Sequence, residues 1–268
     1  MQGGVDDLAA RLPNGALIGV PADYSGVPMA LTLALLRRKV RDLRLFCLPT
    51  GSLQVDVLIG AGAVVQIETS AVSLGEFGLA PCFSRAVEAG TIKVKDSTCP
   101  AMHAQLTATE RGIPFMPMRG LLGSDLLAHR ADWRVVDNPL QPGDPIVLVP
   151  ATRLDVAIFH APLADQEGNV WIGRRRELAT LAHAAERSLV TVERVVGGSF
   201  FEREETAAGA LSSLYVEAIA TVPQGAWPLG LGDRYPVDGA AMRAYAKAAR
   251  TAAGFRTWLD GTLAGVPA

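Results

Sequence analysis

Apolar and polar residues alternate in blocks along the first part of the chain. Short apolar runs at residues 16–20, 43–48 and 64–67 have the length and composition of buried strands. Between the first two runs, residues 27–38 predict a helix, with Pro28 in its first turn and basic residues near its end. This strand–helix–strand order predicts a right-handed parallel crossover.

The same block pattern continues through the rest of the chain. It predicts a helix that begins at Pro81 and two further helices at residues 101–111 and 177–187. Strands are predicted at residues 91–94, 115–118, 145–149, 156–159, 170–172, 189–192 and 214–220. The tail, residues 239–263, is predicted to be helical with a break at Gly254. Residues 137–144 hold two prolines and a glycine, which indicates an irregular insertion or a linker. We therefore predict one α/β domain over residues 1–268, with an open, mostly parallel sheet flanked by helices.

Composition limits the classes to which the protein can belong. Apolar residues make up 49% and charged residues 19% of the chain, which favours a large core over disorder. A net charge of −2 argues against nucleic-acid binding, and no apolar run approaches the ~20 residues of a membrane-spanning helix. The positive mean hydropathy, +0.24, indicates burial against another subunit. The first residues lack the basic and apolar regions of a signal peptide, so we expect a cytoplasmic protein.

One acidic loop is a candidate for chemistry. Glu76 lies in residues 74–81, between a predicted strand and the helix that begins at Pro81. Loops at this position often carry the functional residues of α/β proteins. Two interpretations stay open: the carboxylate accepts backbone N–H bonds and holds its loop together, or it acts in catalysis. A second glycine loop, residues 119–125, is expected near the same edge of the parallel sheet.

Several common catalytic patterns are missing from the sequence. There is no G-x-S-x-G elbow, the four histidines have no HxxxH or HExxH spacing, and the three cysteines form no C-x-x-C pair. We therefore predict neither a serine hydrolase of the α/β type nor a metal site. Cys82 and Cys99 are interpreted as small apolar fillers. His160 is interpreted as a hydrogen-bonded core or interface residue, and Glu193 as a helix-start or solvated charge.

Nine collinear segments, spread over nearly the whole chain, carry a resemblance to one family. They are residues 58–62, 78–86 (GLAPCFSRA), 112–117, 122–125, 149–151, 155–161, 165–170, 215–220 and 223–228. Together they resemble the A (alpha) subunit of class I CoA-transferases, and within that class they are most similar to the glutaconate CoA-transferase branch.

The resemblance implies an open α/β fold of the CoA-transferase and ribose-5-phosphate isomerase type, and its obligate partner is a homologous B (beta) subunit. The implied reaction moves CoA from an acyl-CoA to a carboxylic acid through a glutamyl-CoA thioester. Its nucleophilic glutamate belongs to the B subunit, so no catalytic residue, permanently bound cofactor or metal is expected in this chain. Glycine loops of this chain would line the acyl pocket and offer backbone donors to the thioester oxygen. The residues expected to bind substrate are Ser25, Gly26, Gly51, Ser52, Gly75, Glu76, Gly120, Gly123 and Ser124.

The sequence departs from the family at the turn after the first strand. A Gly-Gly-aromatic turn is usual there, whereas this chain has Val20, Pro21 and Ala22, and proline has no N–H to donate. Two alternatives therefore stay open beside the transferase. One is a CoA-thioester hydrolase or ring-opening enzyme of the same fold, for which Asp96 stands slightly out of register with the implied acidic residue. The other is a non-catalytic scaffold subunit, which the changed turn favours. The acid substrate is not indicated by the sequence.

Overall fold

The computed structural model describes residues 2–265. Its strands are β1 (Gln2–Gly3), β2 (Leu17–Val20), β3 (Leu43–Cys47), β4 (Val64–Thr69), β5 (Lys93–Asp96), β6 (Phe115–Met118), β7 (Arg134–Asn138), β8 (Gln141–Pro150), β9 (Val156–Asp165), β10 (Val170–Trp171), β11 (Ser188–Val196), β12 (Ala210–Leu211) and β13 (Ala218–Thr221). Its helices are α1 (Val5–Arg11), α2 (Met29–Arg37), α3 (Leu53–Gly60), α4 (Pro81–Glu88), α5 (Cys99–Glu110), α6 (Leu126–His129), α7 (Arg176–His183), α8 (Glu204–Ala207), α9 (Gly239–Ala248) and α10 (Ala252–Gly265).

The main sheet is mostly parallel, which confirms the predicted fold class. Its strand order is β1-β13-β11-β9-β2-β3-β4-β5, and only the short strands β10 and β12 pair antiparallel. From β2 the chain moves outward through β3, β4 and β5, and it later returns to the other side of β2 as β9. The order of strands therefore reverses between β2 and β9, and ligands of open α/β sheets bind at such a point, outside the carboxyl ends of the strands.

Helices cover both faces of this sheet, which explains the continuous apolar runs in the sequence. In β2, Ile18 and Val20 pack in a core shared with α1, α2, α3 and α9. On the opposite face, Met102 of α5 and Leu181 of α7 pack in a second core. A Cβ on Gly19 would lie 2.5 Å from Leu154 and 2.8 Å from Leu181, so a side chain at that position would displace these two leucines.

A second sheet corrects two predictions. Residues 115–118 do form a strand, β6, but it pairs antiparallel with β8 in the order β6-β8-β7, so its placement in the parallel sheet is wrong. Residues 137–144 are neither a linker nor an irregular insertion, since they lie in the hairpin formed by β7 and β8. This smaller sheet packs on α5 through a cluster that includes Ala101, Trp133 and Val147.

Two element boundaries also differ from the prediction. The break in the C-terminal helical segment falls between α9 and α10, and Gly254 lies inside α10. Residues 214–220 are divided between the 3-10 turn Ser213–Tyr215 and β13. None of the helices within residues 2–265 combines the length and the apolar composition that a membrane span requires.

Candidate active site

Three loops at the carboxyl ends of β2, β3 and β4 form a continuous wall along one edge of the main sheet. They carry six of the residues expected to bind substrate, namely Ser25, Gly26, Gly51, Ser52, Gly75 and Glu76. Backbone hydrogen bonds join the loops to one another. Asp23 N donates to Thr50 O at 3.0 Å, and Gly51 N donates to Ala71 O at 3.0 Å. The edge is therefore a connected surface rather than three independent loops.

Two neighbouring clefts open along this edge, and we name each after one serine. Residues bordering the Ser25 cleft, of about 470 Å³, include Ser25, Gly26, His160 and Leu231. Residues bordering the Ser52 cleft, of about 380 Å³, include Ser52, Gly75, Glu76 and Tyr235. Tyr24, Arg175 and Gly232 border both clefts, which makes the two spaces contiguous.

A further cavity, of about 520 Å³, lies elsewhere and holds none of the predicted residues. It is bordered by Ile59 and Ala61 at the carboxyl end of α3 and by Phe255 of α10. Ser52 precedes the opposite end of α3. Although this cavity is larger, it lies away from the carboxyl ends of the parallel strands, where α/β sheets bind their ligands. We therefore place the candidate site at the Ser25 and Ser52 clefts.

The loop after β2 approaches β9 closely at Gly26. His160 N donates to Gly26 O at 2.7 Å, and a Cβ on Gly26 would lie 2.0 Å from His160 O. Gly26 also has a φ of +81°, so both the contact and the backbone conformation require glycine. The buried hydroxyl of the neighbouring Ser25 donates to the carboxylate of Glu177 in α7. This loop is thus fixed to β9 on one side and to α7 on the other.

The start of α3 presents hydrogen-bond donors with no protein partner. Ser52 is 4% exposed, and its Oγ has no hydrogen-bond partner among residues 2–265. The N–H groups of Leu53, Gln54 and Val55 are also unpaired within this range, as expected for the first turn of a helix. Helix N-termini attract anions and partly negative oxygens. A buried serine hydroxyl without a partner at the same place indicates a binding position for such an oxygen.

Gly51 and Glu76 differ in what holds them. A Cβ on Gly51 would lie 2.5 Å from Cys47 Sγ, so packing against β3 requires a glycine there. Glu76 is exposed, and no group among residues 2–265 donates to its carboxylate. Ser73 holds the loop instead, by accepting from Gly75 N at 3.0 Å. The loop-bracing interpretation of Glu76 is therefore wrong, and its side chain borders the Ser52 cleft.

The remaining predicted residues, Gly120, Gly123 and Ser124, follow β6 of the smaller sheet. They are not among the residues that border the two clefts. Ser124 Oγ donates to Leu121 O at 2.8 Å, which holds the loop together. Their role in substrate binding stays a prediction.

The cysteines divide between core and surface. Cys82 is buried, and burial raises the pKa of its thiol to about 11, as expected for a small apolar filler. Burial also raises the pKa of the Cys47 thiol, to about 12. Cys99 at the start of α5 is exposed, so the same interpretation is wrong for it.

A hydrogen-bonded cluster around Glu193 was missed by the sequence analysis. His160 is a buried, hydrogen-bonded residue, as predicted, with Nε2 2.7 Å from Glu193 Oε1 and Nδ1 2.8 Å from Thr191 Oγ1. Tyr235 Oη donates to Glu193 Oε1 at 2.8 Å, and Gln224 N donates to Glu193 Oε2 at 2.8 Å. Glu193 therefore neither begins a helix nor stands free in solvent, and that prediction is wrong.

Electrostatics define the protonation of this cluster. Burial raises the pKa of Glu193, but the donors from His160, Gln224 and Tyr235 lower it by more, so the pKa lies below its ordinary value. An ionised carboxylate only accepts hydrogen bonds, so Nε2 of His160 donates to Glu193. Burial and the Glu193 charge raise the pKa of Tyr235. The cluster holds residues 222–238 against the sheet at the Ser25 cleft.

The fold and this site define a class of protein. Residues 4–221 match the sequence profile of the Coenzyme A transferase family, so the chain belongs to that family and the predicted resemblance is confirmed. The A subunit of glutaconate CoA-transferase from Acidaminococcus fermentans is 27% identical, with 92% of this chain and 82% of that protein covered. A chain of the crystal structure of glutaconate coenzyme A-transferase from that organism superposes with a TM-score of 0.91 over 99% of this chain and 89% of that one, at 24% identity, and so shares the fold.

Two further relatives have other described activities. The cholesterol ring-cleaving hydrolase IpdA subunit of Rhodococcus jostii (strain RHA1) is 32% identical, with 97% of this chain and 91% of that protein covered. A crystal structure of a variant of the decarboxylase AibA/AibB superposes with a TM-score of 0.84 at 29% identity, over 97% of this chain and 98% of that one. Proteins similar to this chain therefore have more than one described activity.

Proposed function

We propose that this chain is the A subunit of a heteromeric, cytoplasmic CoA-transferase that moves CoA between an acyl-CoA and a carboxylic acid. Membership of the Coenzyme A transferase family and the similarity to the A subunit of a transferase support this proposal. The observation that carries it is the unpartnered Ser52 Oγ at the Ser52 cleft, next in the chain to the first N–H groups of α3, which also have no partner among residues 2–265.

These donors suit the chemistry of thioester exchange. In the B subunit, a glutamate carboxylate attacks the thioester carbonyl, which forms an acyl-glutamyl anhydride and releases CoA as a thiolate. The thiolate then attacks the glutamyl carbonyl, releases the carboxylic acid and leaves glutamyl-CoA. Each attack places negative charge on a carbonyl oxygen, and preset N–H and O–H donors stabilise that charge.

The residues of this chain fit a supporting role better than that of the nucleophile. Cys47 and Cys82 are buried thiols with raised pKa values, which leaves little thiolate at neutral pH. Glu76 has no donor to position its carboxylate. The chain would therefore bind substrate and stabilise developing charge, while the B subunit would supply the covalent step.

Substitution of Ser52 by alanine tests this proposal in the complex with the B subunit. Because Ser52 Oγ has no protein partner, the variant should fold normally, while loss of one donor should lower kcat by roughly 10²-fold. Ser188→Ala is a matched control, since Ser188 Oγ is also buried without a partner but lies at the amino end of β11. The assay follows CoA transfer from a panel of acyl-CoA donors to carboxylic acids, with glutamyl-CoA trapped by borohydride. Equal rates for the Ser52 and Ser188 variants would contradict the proposal.

A hydrolase is the second candidate, supported by the similarity to one relative. The cholesterol ring-cleaving hydrolase IpdA subunit of Rhodococcus jostii is 32% identical to this chain. Water would then replace the acceptor acid. The two functions differ in one readout: a hydrolase releases free CoA without an acceptor, whereas a transferase requires one. A scaffold subunit would leave the activity of the B subunit insensitive to Ser52→Ala.

A further inference from the structure

Three arginines that border the Ser25 cleft have no ion-pair partner among residues 2–265. Arg174 and Arg175 lie between β10 and α7, and Arg234 lies in the segment between β13 and α9. None of the three side chains forms an ion pair or donates a hydrogen bond within residues 2–265. Arg175 instead lies over the ring of Tyr24, at 5.0 Å from the ring centroid. Such a cation–π contact holds the guanidinium in place and leaves its N–H edge free.

Basic residues outnumber acidic ones among the residues that border the Ser25 cleft. Asp233 is the one carboxylate among them, beside three arginines. Glu177 and Glu193 lie nearby and accept hydrogen bonds from Ser25, His160 and Tyr235. The border of the cleft therefore has an excess of positive charge, in a chain whose net charge is −2. A local excess of positive charge in a cleft concentrates anions there.

The interior of the cleft is apolar beneath this charged border. Ile172, Leu178 and Leu231 are buried residues that border the cleft, together with Trp171 and Pro162. A volume of about 470 Å³ is enough for part of a small organic ligand. An apolar floor and guanidinium groups at the border suit a ligand that has a carbon skeleton and a terminal oxyanion. Guanidinium groups bind carboxylates and phosphates through paired N–H donors.

We propose that the Ser25 cleft is an anion subsite in which Arg174, Arg175 and Arg234 bind an oxyanion of the substrate. This inference rests on the proposed function, because that function brings two sources of the same chemistry to this edge. One source is a carboxylate of the acid that does not react, and the other is a phosphate of CoA. Arg175 borders both clefts, so it joins the anion subsite to the donors at the start of α3.

Binding measurements on the complex with the B subunit test the subsite without requiring turnover. Arg174→Gln, Arg175→Gln and Arg234→Gln are compared with Arg176→Gln, a control in the same segment whose side chain already donates to Ala208 O at 2.7 Å. Titration calorimetry compares the affinity for glutarate with that for butyrate, which lacks the second carboxylate. It also compares the affinity for CoA with that for 3′-dephospho-CoA, which lacks one phosphate.

We expect each of the three variants to bind either glutarate or CoA about tenfold more weakly than the unaltered complex does. The Arg176→Gln control should bind both ligands as the unaltered complex does. Loss of the preference for glutarate over butyrate would assign the subsite to a second carboxylate. Loss of the preference for CoA over 3′-dephospho-CoA would assign it to a phosphate. The proposal is overturned if the unaltered complex binds neither glutarate nor CoA, or if the three variants bind them as the control does. It is also overturned if the variants dissociate the complex, because the arginines would then contact the B subunit. Anion binding in a complex that transfers no CoA would refute the proposed function and leave the subsite standing.

Discussion

Arg130 should be the side chain whose loss most clearly weakens the edge of the sheet near β4 and β5. It is 2% exposed and lies just before β7. Its guanidinium donates to Glu68 Oε1, to both carboxylate oxygens of Asp132 and to Asp96 O, each at 2.9 Å. One cation thus joins β4, β5 and the smaller sheet. Arg130→Met keeps the apolar stem and removes all of these bonds.

The expected loss of stability follows from the buried carboxylate of Glu68, which loses its Arg130 partner in the variant. Glu68 is 4% exposed, and without Arg130 its carboxylate keeps only Lys95 Nζ at 3.1 Å and Gln105 Nε2 at 2.9 Å. Removing one partner of a buried ion pair costs about 3–5 kcal/mol, and the remaining donors favour the lower end, about 3 kcal/mol. For a chain of this size, that corresponds to a fall in Tm of roughly 6–12 °C.

Thermal unfolding followed by circular dichroism measures this change against a matched control. Arg153→Met removes an arginine that is 72% exposed and lies 3.5 Å from Glu186, and solvent-exposed pairs of this kind contribute little. We expect its Tm to equal that of the unaltered protein. A fall of less than about 2 °C for Arg130→Met, or equal falls for both variants, would refute the reasoning.

The same variant has a defined dependence on pH. Hydrogen bonds from Arg130 hold the pKa of Asp132 well below its ordinary value, against the opposing effect of burial. A lowered pKa stabilises the folded state above the unfolded pKa of about 3.9, and that contribution is lost as the pH falls towards the folded value. The Tm difference between the unaltered protein and Arg130→Met should therefore narrow below about pH 4.

Two further predictions concern buried contacts of Asp56 and of Gly26. Tyr245→Phe removes the hydroxyl that donates to the buried carboxylate of Asp56 at 2.5 Å, and should lower the free energy of unfolding by about 1–3 kcal/mol in urea titrations. Burial raises the pKa of Asp56, and the hydrogen bond from Tyr245 opposes this by stabilising the ionised carboxylate. The loss of unfolding free energy should therefore grow as the pH rises and Asp56 ionises, and a loss that is constant with pH would contradict this prediction. Gly26→Ala should abolish soluble expression or lower the Tm sharply, since its Cβ would meet His160 O at 2.0 Å. Gly62→Ala is the control, because Gly62 also has a positive φ, +72°, but has open space where a Cβ would lie. Equal effects of the two substitutions on expression and Tm would exclude the steric explanation.

The sequence identified the strands of the main sheet because their composition reflects burial on both faces. The runs at residues 16–20, 43–48 and 64–67 correspond to β2, β3 and β4, with small differences at the ends. Residues 115–118 show the limit of this signal. A four-residue apolar run has the same appearance in a parallel and an antiparallel sheet, and its partner here, β8, begins more than twenty residues later. Only the tertiary fold decides between the two pairings.

The same distinction explains which site residues could be found. The loop of Glu76 was identifiable because carboxyl ends of parallel strands share one edge of a sheet, whereas the loops of Ser25 and Ser52 were implied by the resemblance to the family. Glu193 was not, because its environment depends on the register between β9 and β11, which places Thr191 beside His160. A polar residue two positions after Thr191 in an apolar strand was the available signal, since residues i and i+2 share a face. That pattern does not reveal which residue lies opposite.

The missed cluster connects the sheet to the wall of both clefts. Glu193 accepts from Gln224 N and from Tyr235 Oη, near the two ends of the segment that carries Arg234. Between these anchors, Leu231 borders the Ser25 cleft, while Tyr235 itself borders the Ser52 cleft. Glu193, a carboxylate within β11, therefore holds a segment that borders both clefts and carries Arg234. Because one anchor is a backbone N–H and the other a side chain, substitution of Tyr235 would release only the end of the segment nearest Arg234. Tyr235 is not among the residues that border the Ser25 cleft, so this hydrogen bond holds the segment from outside that cleft.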